Sequence, residues 1–142
     1  MNREEFVTRY TAFVDQALAL AQKARREGLL ALEDGLDGEK ADGRDIFEYG
    51  LRFVVDGTDR DIIAKILGNI IAQEKDEYTR MLKTVQMEAV LGIQAGDNTG
   101  ILHSVMNSLT DIPLQDDKAY AVLQSGYKPV YPFEDGDDQD GE

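Results

Sequence analysis

Residues 59–95 read DRDIIAKILGNIIAQEKDEYTRMLKTVQMEAVLGIQA, and their apolar positions decide the fold class. Ile62, Ile63, Ile66, Leu67, Ile70, Ile71, Tyr78, Met81, Leu82, Val85, Val90 and Leu91 recur with a period near 3.6, the mark of one helix face. The spacing predicts a continuous helix from about Asp59 to Ala95, roughly 50 Å long at 1.5 Å per residue. A small monomer cannot bury the whole of so long a stripe, so the helix must either bend or offer part of the stripe to a partner.

Working outward, Gly96 ends that helix and Asp97-Asn98 cap the next, Thr99 to Leu109, with Ile101, Leu102, Val105, Met106 and Leu109 inside. Pro113 stops further helix. Asp116 to Leu123 predicts about two more turns, and from Gly126 onward Pro129, Pro132 and a run of acids predict extended, then disordered chain. Upstream, Asp45 and Glu48 cap a short helix carrying Ile46, Phe47, Leu51, Val54 and Val55, which Asp56-Gly57 ends before Thr58 restarts the chain. The glycine- and acid-rich stretch 34–45 is a loop. At the N-terminus, Asn2 and Glu5 form a capping box ahead of Phe6, Tyr10, Phe13, Val14, Ala17, Leu18, Ala21 and Ala24. That first helix is expected to run through Gly28 to about Leu32, the interior glycine being tolerated if another helix crosses closely there. No window alternates as a strand does, and there is no internal repeat. The fold class is all-α: residues 1–110 form a helical domain of one long helix with shorter ones packed on it, 111–125 a short helical extension and 126–142 a disordered acidic tail.

The composition of the 142 residues restricts function. A net charge of −13 opposes binding to nucleic acid and to anionic lipid, although six of the 28 acids lie in the last nine residues. Cysteine is absent, which removes disulfides, thiolate nucleophiles and cysteine-ligated metals. The acidic start does not read as a signal peptide, and no apolar run is long enough for a transmembrane helix, so a cytoplasmic protein is expected.

No constellation in the chain argues for catalysis. His103, the one histidine, has no carboxylate at helical spacing that must face it, so a Ser/His/Asp arrangement is not expected. The loop 37–48 has the length of a calcium loop, but places Ala41 at a ligand position and Asp42 where the sharp turn needs glycine. No glycine belongs to a phosphate loop. The chain is therefore expected not to be an enzyme, and to hold no metal and no cofactor. Arg25 and Glu33 stand apart. On a continuous helix they lie two turns and about 80° apart with Leu29 between them, presenting opposite charges along one face. That arrangement is either solvated surface or an electrostatic docking strip.

Three stretches carry a family resemblance. Lys23–Asp34 (KARREGLLALED), Phe47–Asp59 with LRFVVDGTD at its end, and Glu88–Leu102 (EAVLGIQAGDNTGIL) resemble, in the same order, cytoplasmic segments of the MotA-type flagellar stator family. In that family MotA is an ion-channel subunit that forms pentamers around a MotB dimer and pushes on the rotor protein FliG through a charged pair. By the resemblance that pair corresponds to Arg25 and Glu33, with Arg26 and Leu29 beside them. The family's first two membrane helices have no counterpart, and the third and fourth, expected between Thr79 and Met87, are missing. Thr99-Gly100 stands where the family has Pro-Arg. The resemblance thus implies a free-standing relative or cytoplasmic lobe without ion conduction, working by protein–protein contact in flagellar motor function or assembly. FliG or another motor component is the implied partner. The alternative is a helical adaptor or self-associating scaffold with another partner, using the exposed stripe of the long helix around Ile70 and Tyr78 as a homo-oligomer contact.

Overall fold

The computed structural model describes residues 1–36 and 46–113. The expected Asp45 cap, the helix at Asp116–Leu123 and the acidic tail lie outside these residues. All regular structure among the described residues is helical.

Helix α1 (Arg3–Glu27) buries all eight apolar positions that its periodicity singles out. Asn2 caps it, its Oδ1 accepting the Glu5 N–H at 2.8 Å. Glu5 does not reach back as a capping box requires; its carboxylate pairs with Arg9 at 2.7 Å, one turn on. The expectation that α1 continues through Gly28 is overturned. Gly28 adopts φ 94 and ψ 161, its N–H closes the last turn on the Ala24 carbonyl at 2.9 Å, and the chain resumes as a 3-10 helix, Leu29–Gly35. A Cβ at Gly28 would meet nothing within 4 Å, so no helix crosses there; the glycine is present for its backbone angle, which L-residues with a side chain resist.

Helix α2 (Ile46–Val55) ends as expected at Asp56-Gly57, where the Thr58 N–H bonds the Phe53 carbonyl and the Gly57 N–H the Val54 carbonyl. Helix α3 (Arg60–Ala72) follows from Asp59, one residue after the expected restart. The single helix expected over 59–95 is two. The chain reverses at residues 73–76, and helix α4 (Glu77–Ala95) packs back on α3. The reversal has a local cause. Asp76 is an N-cap, its Oδ2 accepting the Thr79 N–H at 2.9 Å and the Thr79 hydroxyl at 2.7 Å. Glu74 is held by Lys83 at 2.9 Å, and its carbonyl accepts from Arg80 Nε at 2.8 Å. Folding the stripe back on itself buries Ile63, Leu67 and Ile71 with Val85, Val90 and Leu91. The interval Thr79–Met87 lies inside unbroken α4. Helix α5 (Thr99–Ser108) completes the bundle, its N-terminus capped by Asn98 Oδ1 on the Ile101 N–H at 2.8 Å.

Helix α4 is the hub, packing against α1, α2, α3 and α5. The close crossing that the sequence assigns to Gly28 occurs at Gly50, where a Cβ would stand 2.9 Å from Val90 Cγ2 and 3.0 Å from Leu67 Cδ1. Aromatic contacts join helices within the core: Phe13 meets Phe47 edge-on at 4.7 Å and Phe6 stacks on Tyr78 at 5.1 Å. Gln22 is an exception within the core, 1% exposed with neither amide atom of its side chain hydrogen-bonded among the described residues.

Candidate functional site

Arg25 occupies the last turn of α1 and is exposed, yet its guanidinium is engaged: Nη1 donates to the Gly96 carbonyl. Gly96 is the left-handed terminator of α4, with the Asp97 N–H on the Gly92 carbonyl at 3.0 Å and its own N–H on the Ile93 carbonyl at 3.2 Å. Arg25 therefore places a positive charge at the negative end of the α4 dipole and ties two helix ends together. Beside it, Gln94 Nε2 donates to the Thr58 carbonyl at 2.8 Å. These two bonds join the end of α1, the α2–α3 turn and the α4–α5 turn. The three stretches 23–34, 47–59 and 88–102, far apart in sequence, meet at one end of the bundle.

Because α1 stops at Gly28, Arg25 and Glu33 do not share a helix face; Glu33 is carried by the 3-10 segment, exposed to solvent. That segment is fastened by buried Leu32 and by the Lys23–Asp34 ion pair at 4.0 Å. Arg26 is exposed. Leu29, expected between the charges, is partly buried and packs against the core, whereas its neighbour Leu30 is 72% exposed. Ile62 and Ile101, each in the first turn of a helix that starts at this end, are 45% and 54% exposed, although their periodicity had placed both inside. The large exposed apolar side chains of the described residues thus gather where Arg25, Arg26 and Glu33 lie. Sequence reasoning missed Leu30; its clue is that a 3-10 turn seats only one of two adjacent leucines inward.

The opposite end is polar and closed on itself. Asp111 accepts from Tyr78 Oη at 2.8 Å and from Arg3 Nε at 3.2 Å. The Tyr78 hydrogen bond, with Arg3 beside it, holds the Asp111 carboxyl below its usual range, and the same bond raises the Tyr78 phenol. The hydrogen bonds from Thr79 lower Asp76 to about 2, and the Lys83 ammonium lowers Glu74. Ile70, partly buried, packs on the core, and Tyr78 is partly buried against Phe6 with its hydroxyl on Asp111. Between α1 and α5 a groove of about 340 Å³ opens beside His103. Among the described residues no three His, Asp or Glu side chains are placed to hold a metal ion, and no helix is long and apolar enough to cross a membrane.

Comparison with known proteins agrees with the resemblance in part. Over 107 residues, 75% of this chain, the sequence is 34% identical to Motility protein A of Treponema phagedenis, and over 106 residues it is 34% identical to Motility protein A of Treponema pallidum. The match covers 38% of each relative, so the chain spans well under half the length of the curated proteins it resembles. No family model matches the sequence, and no solved structure matches it. The likeness supports a MotA-like relation.

Proposed function

We propose that this protein acts in flagellar motility by docking on another motor component, without conducting ions or catalysing a reaction, and that the docking face is the end of the bundle carrying Arg26, Leu30 and Glu33. One observation carries the reading: exposed Leu30 stands on a short, fastened segment that also bears Glu33, beside Arg26 at the end of α1. An apolar anchor ringed by charges of both signs is the composition of a specific protein contact, in which the apolar group supplies affinity and the charges supply orientation. The Arg25–Gly96 bond ties the end of α1, which carries Arg26, to the end of α4. The rotor protein FliG is the first partner to test, since the proteins of similar sequence are motility proteins.

The test is a titration of FliG against the full chain and three variants, Glu33→Lys, Arg26→Glu and Leu30→Asp. All three positions are exposed, and circular dichroism checks that the fold persists, above all for Arg26→Glu, whose side chain is itself engaged within the molecule. Each change is expected to weaken binding by roughly tenfold, about 1.4 kcal/mol. Unchanged affinity in all three, or no binding by the unaltered chain, refutes the assignment. Arg25 is a poorer probe than the sequence implies. Its substitution also removes the bond to Gly96, so a loss of binding would mix docking with stability.

A further inference from the structure

Helix α3 carries more apolar surface than its packing covers. Ile63, Leu67 and Ile71 are buried, and Ala64 and Ile70 pack against the core. Ile62 and Ile66 continue the same arc, one turn apart, on the flank away from Ala64. Ile62 is 45% exposed, and Ile66 is half-buried without being packed against the core of the described residues. Next to them stand Asp61 and Lys65, also one turn apart and both exposed. Neither side chain is in an ion pair or a hydrogen bond among the described residues, so both charges are available.

We infer that this flank of α3 docks on a second copy of the chain, as an antiparallel two-fold contact through Ile62 and Ile66 with reciprocal Asp61–Lys65 pairs. The spacing of the four residues is self-complementary. Turned end for end about a two-fold axis, a second α3 sets its Ile66 against Ile62 and its Ile62 against Ile66. The same operation keeps both charged flanks on one side and brings Lys65 of each copy opposite Asp61 of the other. In a parallel pair the charged flanks would fall on opposite sides, and neither would find its complement. The isoleucines supply the attraction and the charges fix the register. Arg26, Leu30 and Glu33 take no part, so the contact stands apart from the docking proposed above. Two short helices bury less than the roughly 1,200–2,000 Å² of a standard interface, so the dimer is weak, with a Kd on the order of 100 µM.

Sedimentation equilibrium of the full chain is the test, in about 0.15 M salt to screen the repulsion between two chains of net charge −13. The mean mass is expected to rise toward that of two chains between about 10 µM and 1 mM. Ile62→Asp, at an exposed position, is expected to weaken the dimer by roughly tenfold or more with an unchanged helical signal. Lys65→Glu and Asp61→Lys each set like charges opposite each other and are each expected to weaken it roughly tenfold. Mixing the two single variants is expected to restore association, because each meets its complement in the other. Combining both changes in one chain is expected to restore it as well. A monomer at every concentration, assembly beyond two chains, or charge reversals that neither weaken the dimer nor rescue each other overturn the proposal.

Discussion

Replacing Gly28 by alanine separates two descriptions of the segment that bears the docking face, because they predict opposite signs. If α1 ran unbroken to Leu32, Gly28 would be an interior helical residue and Gly28→Ala would stabilise the protein by about 1 kcal/mol. In the structure Gly28 ends α1 at φ 94 and ψ 161, a conformation that a residue with a Cβ populates only under strain. A Cβ there would touch nothing within 4 Å, so no contact is gained or lost and the backbone alone sets the energy. That energy is about 1–3 kcal/mol of destabilisation. For a domain of this size each 1 kcal/mol moves Tm by about 3–6 °C. Thermal unfolding followed by circular dichroism at 222 nm is expected to show a fall of about 3–18 °C for Gly28→Ala. Urea unfolding with an unchanged slope would confirm that the native state carries the loss. A rise in Tm, above all with a gain of helical signal, would refute the turn at Gly28 and restore Arg25 and Glu33 to one continuous helix.

Other perturbations have expected outcomes. Gly50→Ala places a methyl against Val90 and Leu67 and is expected to cost about 1–3 kcal/mol from overpacking, less about 1 kcal/mol of recovered helix propensity, as read by urea midpoint. Gln22→Met removes a buried amide that has no hydrogen-bond partner among the described residues and is expected to raise stability by about 1–2 kcal/mol; a loss measured in the same way would mean that the amide is satisfied in solution. Asn98→Ala deletes the α5 cap and is expected to cost about 1 kcal/mol. Acid titration tests the α3–α4 turn. Asp76 is depressed from 3.8 to about 2 in the folded state, so its contribution is present above pH 3.8 and is lost as pH falls toward 2. Asp76→Asn is expected to remove that part of the acid sensitivity, and an unchanged acid-unfolding curve would contradict it.

The α1 pattern was fully legible. Phe6, Tyr10, Phe13, Val14, Ala17, Leu18, Ala21 and Ala24 needed only the 3.6 period to be placed inside, because one face of a long helix against a core averages over any local irregularity. The terminators Gly57 and Gly96 were legible for a different reason: ending a helix is a local backbone event with a local chemical signature. Periodicity failed at residues 73–76. A stripe that continues in phase looks the same whether the helix runs on or folds back, and the choice rests on Asp76 finding Thr79 and Glu74 finding Lys83. Gly28 failed in the opposite direction. A glycine with helix formers on both sides can be a tolerated interior residue or a terminator, and nothing local distinguishes them.

The candidate docking face divides in the same way. From sequence alone came the all-helical class, the caps at Asn2 and Asn98, the charges at Arg25, Arg26 and Glu33, and the likeness of three stretches to a motility family. Only the tertiary structure could bring those stretches to one end, because the bonds from Arg25 to Gly96 and from Gln94 to Thr58 join residues 71 and 36 positions apart. Only it could decide that Arg25 braces a helix end as well as facing solvent, and that Leu30 is the exposed leucine and Leu29 the packed one. Periodicity assigns a residue to a face of its own element. Whether that face is covered depends on where the other elements end, and that is settled by packing among parts of the chain that share no local sequence.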